Sequence, residues 1–323
     1  MAVRTNVVVI TYNALSYTKA TIGSLFSKTH NEFNLTVIDN GSTPDTLEYL
    51  DSLRTTEFCK KITIVKNGIN TGVGCAYNKG QQVSFFDEVE FTAFCNNDLY
   101  FSSDWLAKLE KRMDDNQTVA ILSPLRPSAK VRYDGSISTR DKLKELPDTD
   151  DWKVELESYT GLPVEHFDRF TNKVLQANRD GDIELISFPD SLSTCVCLTR
   201  NSVFKKIDRF ADPIFTGYGG EDIDMSWTVM SLGYECAVDH GVYVHHFRGK
   251  SLKSNNMKRQ ELLKRSNKAL YAKWENAIQD FVATKRSQGV DIEAQIENGQ
   301  SNEYWLLFEL NQDKKFLKDV ERV

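Results

Sequence analysis

The sequence lacks any apolar run near the ~20 residues that a membrane-spanning helix needs. The longest such run close to the N-terminus covers residues 7–10, and the first residues lack the apolar stretch of a secretory signal peptide. We therefore expect a protein that neither spans a membrane nor follows the Sec pathway, and we expect it in the cytoplasm.

Cysteine is scarce, with six residues in a chain of 323. Most lie inside apolar runs, as Cys95 does, which is typical of buried free thiols in a reducing compartment. Cys195 and Cys197 would share one face of a strand, but no second Cys or His pair has zinc-finger spacing. We therefore interpret this pair as part of a core strand and not as a structural zinc site.

The charge is unevenly distributed along the chain. The net charge is −6, yet residues 248–273 contain nine basic side chains against the single acid Glu261. We call these nine side chains the basic stripe: Arg248, Lys250, Lys253, Lys258, Arg259, Lys264, Arg265, Lys268 and Lys273. A basic stripe on an acidic protein favours a local anion site over a general nucleic-acid surface. A solvated helix face is the alternative interpretation.

Short β-branched runs alternate with helical patterns in the first part of the chain. Strands are predicted at residues 7–10, 33–38, 62–65 and 91–95, with helices between them, for example at 14–28 and 74–86. Such alternation predicts an α/β fold with a doubly wound, mostly parallel sheet that binds ligands at the carboxyl ends of its strands.

The second half of the chain is organised differently. Residues 126–186 are rich in charge and turn formers, and we interpret them as an inserted acceptor lobe. Strands return at 193–198 and 238–246, and an apolar stripe predicts a long helix over 257–282. We expect one domain over residues 1–255 and a helical C-terminal extension over 256–323, which includes the apolar segment 304–308.

Polar residues follow the predicted strands where each strand ends. Residues 11–13 follow the first strand, and Asp39, Asn70 and Asp98 follow the next three. A single carboxylate at a strand end is often only a turn former or a helix cap. Because parallel strands end at one edge of a sheet, the whole set indicates a ligand site there.

These clusters belong to an ordered set of motifs that resembles the family 2 glycosyltransferases of the GT-A fold, with a rhamnosyltransferase-like character. The motifs are residues 7–13, Val37-Ile38-Asp39-Asn40-Gly41-Ser42, residues 70–80, Asn96-Asn97-Asp98, Gly219-Gly220-Glu221-Asp222 and residues 245–251. Each motif is weak alone, but their order and spacing are specific over residues 5–255, with the 126–186 lobe outside the match. The resemblance implies transfer of a sugar from a nucleotide-sugar donor.

The resemblance implies which residues bind that donor. Asp39 matches the aspartate that accepts the imide N–H of uracil or thymine, so a UDP- or dTDP-sugar is expected rather than a CDP-sugar. Tyr12 offers an aromatic face for the nucleobase. Gly72 and Gly74 allow the backbone to approach the nucleotide, although Tyr77 replaces the third glycine of a dinucleotide fingerprint. The other predicted donor-binding residues are Thr11, Asn13, Asn70, Asn97, Arg248 and Lys250.

The resemblance also implies a divalent metal on the donor diphosphate. The Asn96-Asn97-Asp98 segment occupies the family's Asp-x-Asp position, so only Asp98 supplies a charged ligand, and we expect weak metal affinity without nucleotide. Mn²⁺ or Mg²⁺ suits such an oxygen-rich site. His245 or His246 matches the family's histidine near the metal, and only one can serve because neighbours on a strand point to opposite faces. A metal-independent enzyme is the alternative.

Glu221 and Asp222 open a predicted helix after a glycine-rich loop. In the family pattern the second acid is the catalytic base, so Asp222 would take the proton of an acceptor hydroxyl as that oxygen attacks the sugar C1. One base without an evident protein nucleophile implies single displacement with inversion. Glu221 is expected to bind the acceptor or tune the base. The plain alternative is an acidic first turn that the helix dipole favours, a role that Asp224 would serve equally.

The acceptor and the competing functions stay open. A glycan or a lipid-linked glycan is the expected acceptor, with the basic stripe touching anionic lipid. A nucleic-acid base is the alternative acceptor, with the stripe on phosphates. A nucleotidyltransferase would need a cation-rich loop after the first strand, which residues 11–14 do not provide. A non-catalytic GT-A binder is disfavoured because Asp98, Glu221 and Asp222 are all present.

Overall fold

A computed structural model describes residues 3–128, 130–133, 137–178, 183–215, 218–257, 259–292 and 294. Within these residues the chain forms nine β-strands. They are β1 (Thr5–Thr11), β2 (Phe33–Asp39), β3 (Cys59–Lys66), β4 (Phe91–Asn96), β5 (Leu99–Phe101), β6 (Val119–Leu125), β7 (Ile183–Ile186), β8 (Val196–Arg200) and β9 (Glu235–His246).

Helices connect these strands. They are α1 (Leu15–Lys28), α2 (Pro44–Asp51), α3 (Val73–Phe86), α4 (Trp105–Asp115), α5 (Thr139–Lys142), α6 (Trp152–Thr160), α7 (Phe167–Ala177), α8 (Asn201–Ile207), α9 (Glu221–Ser231), α10 (Lys250–Ser254) and α11 (Arg259–Ser287). Short 3₁₀ turns cover Leu143–Glu145 and Val164–His166. Among the helices in the described part of the chain, none combines the length and the apolar character that crossing a membrane requires.

The strands form one sheet in the order β3-β2-β1-β4-β8-β6-β9-β5, and β7 pairs with β9 beside this path. β1 runs parallel to β2 and β4, β2 runs parallel to β3, and β6 runs parallel to β9. β8 is antiparallel to both β4 and β6, so β6 and β9 point the same way as the first four strands. The observed sheet confirms the predicted mostly parallel α/β class.

The central strands are buried on both faces because helices cover the sheet on each side. On β1, Val7 and Val9 face the core under α1, α2 and α4, whereas Val8 and Ile10 face the core under α3, α8 and α9. This alternation is the period of two that a strand imposes, and it explains the short, continuous apolar runs in the sequence. Each such fully buried side chain stabilises the fold by about 1.5–3 kcal/mol.

The described residues of the predicted 126–186 insert form a helical lobe beside the sheet. Tyr159 of α6 and Phe167 and Phe170 of α7 pack in an aromatic cluster with Tyr100 of β5 and Tyr243 of β9. The last element of the insert, β7, pairs antiparallel with β9 and thus extends the main sheet. The lobe is therefore built onto β9, the strand that carries the two histidines.

The long C-terminal helix α11 lies against α9. Leu270, Ile278 and Val282 of α11 are buried with Ile223 and Trp227 of α9. The helix was predicted for 257–282, and the structure has it at Arg259–Ser287 with a break in helical geometry at Trp274. The predicted apolar segment 304–308 lies outside the described residues.

Candidate active site

The carboxyl ends of the parallel strands meet at one side of the sheet, which we call the carboxyl edge. Thr11 of β1 pairs with Asp39 of β2, and Ile10 pairs with Asn96 of β4, so the three strands end in register. β9 ends at the same edge with His246. The predicted site residues that follow these strands therefore lie along one edge, as the alternating pattern required.

Thr11, Asp39, Asn40 and Asn70 form what we call the β1–β3 rim. Asp39 is almost fully buried, and its carboxylate accepts hydrogen bonds from the backbone N–H of Gly41 at 3.1 Å and from that of Ser42 at 3.2 Å. The Thr11 hydroxyl also donates to it at 3.4 Å. These donors fix the orientation of the carboxylate before any ligand arrives.

Asn40 is a residue of this rim that the sequence interpretation missed. It is buried, its Nδ2 donates to Asn70 Oδ1 at 2.9 Å, and its Oδ1 accepts from the Thr71 N–H at 3.0 Å. Asn70 Oδ1 also accepts from the Gly72 N–H at 2.9 Å, where α3 begins. Asn40 therefore holds the loop after β3. In the sequence, only its position next to Asp39 in the motif could have indicated this role.

Gly41 explains how closely the loops after β2 and β3 approach each other. Its φ is +88°, and a Cβ atom there would lie 2.8 Å from the carbonyl carbon of Ile69. Both the left-handed backbone and the short separation require glycine. The Gly41 position is thus part of the geometry that places Asp39 and Asn70 side by side.

The side chains of Asn13 and Asn97 form hydrogen bonds with other segments of the chain. Asn97 Nδ2 donates to the Asn13 carbonyl oxygen at 3.1 Å, and Asn97 Oδ1 accepts from the Ser251 hydroxyl at 2.9 Å. Asn13 Nδ2 donates to Asn255 Oδ1 at 2.6 Å, and Asn255 in turn donates to the Tyr12 carbonyl oxygen at 3.3 Å. These contacts fasten the segment after β9 onto the loops after β1 and β4, and Tyr12 itself is half-buried.

Asp98 and His246 face each other where β5 pairs with β9, and we call this pair the β4–β9 rim. Asp98 Oδ1 lies 3.1 Å from His246 Nε2. Both residues are nearly buried, yet Asp98 Oδ1 and both ring nitrogens of His246 have no hydrogen-bond partner in aligned geometry. The other oxygen, Asp98 Oδ2, accepts from the backbone N–H of Lys250 at 3.3 Å. The two side chains thus face each other at ion-pair distance without an aligned hydrogen bond.

His245 occupies the opposite face of β9, inside the lobe. It is fully buried, with its ring 4.4 Å from that of Tyr159 and 4.7 Å from that of Phe247. Burial lowers the pKa of His245 well below its usual value, so the ring is neutral. We therefore remove His245 from the predicted metal ligands, because strand alternation leaves only His246 beside Asp98.

The electrostatics of the β4–β9 rim are those of an ion pair. Burial lowers the pKa of His246, but the Asp98 carboxylate and Cys195 outweigh burial and raise it to about 10. Burial raises the pKa of Asp98, and the charge of His246 overcomes this and lowers it. Burial also raises the pKa of Cys195, which His246 and Arg126 bring down to about 6. Cys195, which we predicted only as a core residue, is thus a neighbour of the rim.

The β4–β9 rim fits one divalent cation in an incomplete ligand set. A carboxylate oxygen and an imidazole nitrogen that has lost its proton are ligands that Mn²⁺ accepts, so a cation here would displace the proton that His246 holds beside Asp98. Within the described part of the chain, no three His, Cys, Asp or Glu side chains converge as a metal site. A cation held by Asp98 and His246 would therefore need oxygen atoms of a bound ligand to complete its coordination.

The basic residues after β9 are paired within the protein. Lys250 Nζ donates to Glu155 Oε2 at 2.6 Å, and the Tyr17 hydroxyl donates to the same oxygen at 2.5 Å. Arg248 Nη2 donates to the carbonyl oxygen of Pro127. The two cations predicted to bind the diphosphate thus contact the lobe, and it is the backbone of Lys250 that reaches Asp98.

Two further members of the basic stripe are also neutralised. Lys253 Nζ lies 2.6 Å from Asp148 Oδ1, and Lys273 Nζ lies 2.8 Å from both Asp212 and Asp224. The side chains of Lys258, Arg259, Lys264 and Arg265 fall outside the described residues. Among the described members of the stripe, Lys250, Lys253 and Lys273 thus form ion pairs, Arg248 binds a carbonyl oxygen, and Lys268 is exposed.

Glu221 and Asp222, which we call the acidic turn, begin α9 at the carboxyl edge. A Cβ atom on Gly74, at the start of α3, would lie 3.6 Å from the Cβ of Glu221. Glu221 is 7% exposed, and its burial together with the charge of Asp222 raises its pKa to about 8. Asp222 is half-buried, and its Oδ1 accepts from the Ile223 N–H at 2.9 Å. Burial and the neighbouring charge therefore favour the protonated form of Glu221 near neutral pH.

A cavity of about 560 Å³ lies at the opposite edge of the sheet. Its lining includes Glu90 before β4, Arg200 at the end of β8 and Tyr234 before β9. None of the predicted site residues contributes to it. The Arg200 guanidinium points instead to carbonyl oxygens, among them that of Met113 at 2.6 Å. The chemistry of the chain is thus concentrated at the carboxyl edge.

Comparison with known proteins agrees with this geometry. The family model of glycosyl transferase family 2 matches residues 6–164. Among solved structures, the chain is similar to S. aureus TarS 1–349 in complex with UDP-GlcNAc, with a TM-score of 0.55 and 15% identity over 98% of this chain and 81% of that one. No curated protein matches the sequence at a significant level.

A second solved structure, GalNAc-T7 with UDP, GalNAc and Mn²⁺, gives a TM-score of 0.50 at 15% identity. The match covers 76% of this chain and 44% of that one, so our chain spans less than half of its length. At such identities the likeness shows the fold, and the family model adds the sequence evidence over β1, β2 and β4. The predicted family is confirmed. Because the family model matches residues 6–164, this chain belongs to glycosyl transferase family 2. Its sheet is that of the GT-A fold.

Proposed function

We propose that the protein is an inverting glycosyltransferase that moves a sugar from a UDP- or dTDP-sugar to an acceptor hydroxyl. The observation that carries the proposal is the buried ion pair of Asp98 and His246, whose facing atoms lie 3.1 Å apart without an aligned hydrogen bond, at the edge that also carries Asp39. A nucleotide diphosphate laid along this edge would place its base at one end and its phosphates at the other. In open α/β sheets, ligands bind at this edge.

Asp39 would read the nucleobase. Its carboxylate is oriented by the N–H groups of Gly41 and Ser42. Uracil and thymine carry an imide N–H, whereas cytosine carries none at that ring position. Tyr12 would contribute its aromatic face.

Asp98 and His246 would hold a divalent cation together with the diphosphate oxygens. When bound, that cation would offset the negative charge that develops on the leaving diphosphate. The protein's own part is to keep both ligands dry and oriented, which the Lys250 N–H and the β5–β9 pairing do. Lys250 and Arg248 would act by holding the segment after β9, since their side chains bind Glu155 and the Pro127 carbonyl oxygen.

Asp222 would be the general base. The acceptor oxygen attacks the sugar C1 as the bond from C1 to the phosphate oxygen breaks. Asp222 takes the hydroxyl proton, and the diphosphate leaves with the bonding electrons. Glu221, protonated near neutral pH, would donate a hydrogen bond to the acceptor. One displacement at C1 inverts its configuration.

The acceptor we propose is a hydroxyl of a glycan. The ion pairs of Lys250, Lys253 and Lys273 weaken the case for the basic stripe as a contact for nucleic-acid phosphates or anionic lipid. The lobe beside His246 would line the acceptor side. The rhamnosyltransferase-like specificity stays a prediction.

The test is donor turnover in the absence of acceptor, followed by NMR of the sugar product. We expect the full-length protein with Mn²⁺ to hydrolyse one UDP- or dTDP-sugar slowly, and the first product to carry the anomeric configuration opposite to that of the donor. CDP-sugars serve as the control and should not react. A product of retained configuration would contradict the single displacement, and no turnover of any donor would favour a non-catalytic binder.

A further inference from the structure

The helix α11 contacts the first turn of α9 and the loop before it through three polar side chains. These are Ser266, Lys273 and Trp274, which we call the α11 clamp. The acidic turn begins that same helical turn of α9. The clamp therefore lies against the element that carries the proposed catalytic base.

Asp224 is the contact that two members of the clamp share. It lies two residues after Asp222 and is 2% exposed. Trp274 Nε1 donates to Asp224 Oδ1 at 2.7 Å, and Lys273 Nζ donates to Asp224 Oδ2 at 2.9 Å. Both carboxylate oxygens are thus bound from α11. A buried carboxylate with two such donors has one preferred position, and so has the turn that bears it.

The third contact holds the loop before the acidic turn. The Ser266 hydroxyl donates to the Tyr218 carbonyl oxygen at 2.9 Å. Gly220 follows in this loop and has a φ of +88°. A Cβ atom on Gly220 would lie 2.9 Å from the Phe215 ring and 3.3 Å from the Ser266 Cβ. The last residue before α9 is therefore packed tightly against α11 on one side.

Charge also favours this arrangement. Glu221, Asp222 and Asp224 lie in one turn, and Asp212 packs nearby. Lys273 Nζ lies 2.8 Å from both Asp212 and Asp224, so one cation offsets two of the three aspartates. Without this cation, the turn would keep several like charges at short range, which favours its displacement.

The apolar surface beneath the clamp continues the same contact. The Trp274 ring meets the Trp227 ring edge to face at 5.6 Å, and Leu270, Ile278 and Val282 are buried in the same cluster. The backbone of α11 departs from helical geometry at Trp274 itself, with φ of −110° and ψ of 15°. The polar clamp is thus one part of a buried interface, and the rest of that interface supplies matched controls.

We propose that Lys273 and Trp274 are positioning residues for sugar transfer, which hold the acidic turn through Asp224 so that Asp222 meets the acceptor oxygen. The inference rests on the proposed function, because it assigns a role in that reaction. It extends the catalytic unit to a helix that the family model does not cover. Misplacement of a catalytic group by ~1 Å can reduce the rate by about 10²-fold, so a loosened turn should be visible in turnover.

The experiment compares full-length variants. Lys273→Met removes the cation, Trp274→Phe removes the N–H donor and keeps an aromatic ring, and Lys273→Arg restores the charge. The controls Ile278→Val and Val282→Ala remove buried methyl groups from the same helix and leave the polar clamp intact. Each variant is measured for kcat, for the dissociation constant of UDP with Mn²⁺, for Tm, and for amide hydrogen exchange over residues 218–226.

We expect kcat of Lys273→Met and Trp274→Phe to fall by about tenfold to 10²-fold. UDP affinity should stay within about twofold, exchange over 218–226 should accelerate, and Lys273→Arg should recover most of the turnover. The proposal is overturned if kcat falls no further than in control variants of equal Tm, or if exchange over 218–226 stays unchanged. A wild-type chain without turnover would contradict the proposed function, and the exchange measurement would still decide the clamp.

Discussion

The β1–β3 rim and the β4–β9 rim lie at the same edge of one sheet, and they treat their carboxylates in opposite ways. Asp39 accepts hydrogen bonds from the N–H groups of Gly41 and Ser42 and from the Thr11 hydroxyl. Asp98 faces His246 at 3.1 Å, with one oxygen and both ring nitrogens lacking an aligned partner. The carboxylate of the first rim is held by hydrogen-bond donors of the chain, and the carboxylate of the second rim lies in an ion pair with a histidine.

The difference indicates what each rim does. A carboxylate held by several donors keeps one orientation, which suits recognition of a planar ring by a single N–H. A buried ion pair without an aligned hydrogen bond suits a cation that binds with the donor and displaces the proton of the histidine. Ligand affinity should therefore depend on both rims, and its dependence on metal should come from the β4–β9 rim alone.

The largest expected effect is at the acidic turn, which neither rim includes. Asp222→Asn should reduce kcat by about 10²- to 10⁴-fold because it removes the general base. UDP affinity should stay unchanged, since Asp222 contacts neither rim in our account. Steady-state turnover and calorimetry measure the two quantities.

Glu221→Gln is the matched variant for this test. It keeps the shape of Glu221 and the neutral charge that its raised pKa gives it near pH 7, so turnover should fall less than in Asp222→Asn. A larger loss in Glu221→Gln than in Asp222→Asn would assign the base to Glu221.

The next effect is expected at the β4–β9 rim. Asp98→Asn should lower kcat/KM by about 10²-fold or more, because it weakens charge compensation at the leaving diphosphate. His246→Asn should act in the same direction. Turnover at increasing Mn²⁺ measures the loss. Wild-type turnover in Asp98→Asn at low Mn²⁺ would contradict a cation site at this rim.

A smaller effect is expected at the β1–β3 rim. Asp39→Asn should weaken UDP binding by about tenfold to 10²-fold, the range for losing a hydrogen bond to a charged group. Its kcat at saturating donor should stay near that of the wild type, and its response to Mn²⁺ should persist. If Asp39→Asn abolished the Mn²⁺ response, the two rims would not be separable.

The last expected effect concerns stability and not turnover. Glu221 has a folded pKa of about 8, above its usual value of 4.5, so the folded state binds an extra proton between these two pH values. The free energy of unfolding therefore falls as pH rises from 4.5 towards 8, and this contribution is constant above that range. Glu221→Gln should flatten the decline of Tm from pH 5 to 8. An equal decline in both proteins would contradict the buried, protonated state.

The sheet could be predicted from the sequence because its strands are buried on both faces and therefore appear as short apolar runs. The runs that form β1, β2 and β4 end at polar residues, and parallel pairing turned those ends into one edge. The positions of Asp39 and Asp98 followed from that rule. Strand alternation showed that only one of His245 and His246 could face the site, and the structure places His246 beside Asp98.

Contacts between segments that are distant in the sequence could not be predicted from it. Lys250 was expected near the diphosphate, but its ammonium binds Glu155 of the lobe, a pairing that no local pattern encodes. Asn40 and Asn255 hold loops through side-chain hydrogen bonds whose partners depend on the folded geometry. The link from Trp274 to Asp224 needed the position of α11 on α9, which the apolar stripe of the helix does not specify.

We propose that a cation held between Asp98, His246 and a donor diphosphate completes the β4–β9 rim. The most direct measurement is the dissociation constant of UDP by calorimetry, with and without Mn²⁺, in the wild type and in Asp98→Asn. We predict at least about tenfold tighter binding with Mn²⁺ in the wild type, a gain of about 1.4 kcal/mol, and no gain in Asp98→Asn. Equal UDP affinity of the wild type with and without Mn²⁺ would contradict the claim.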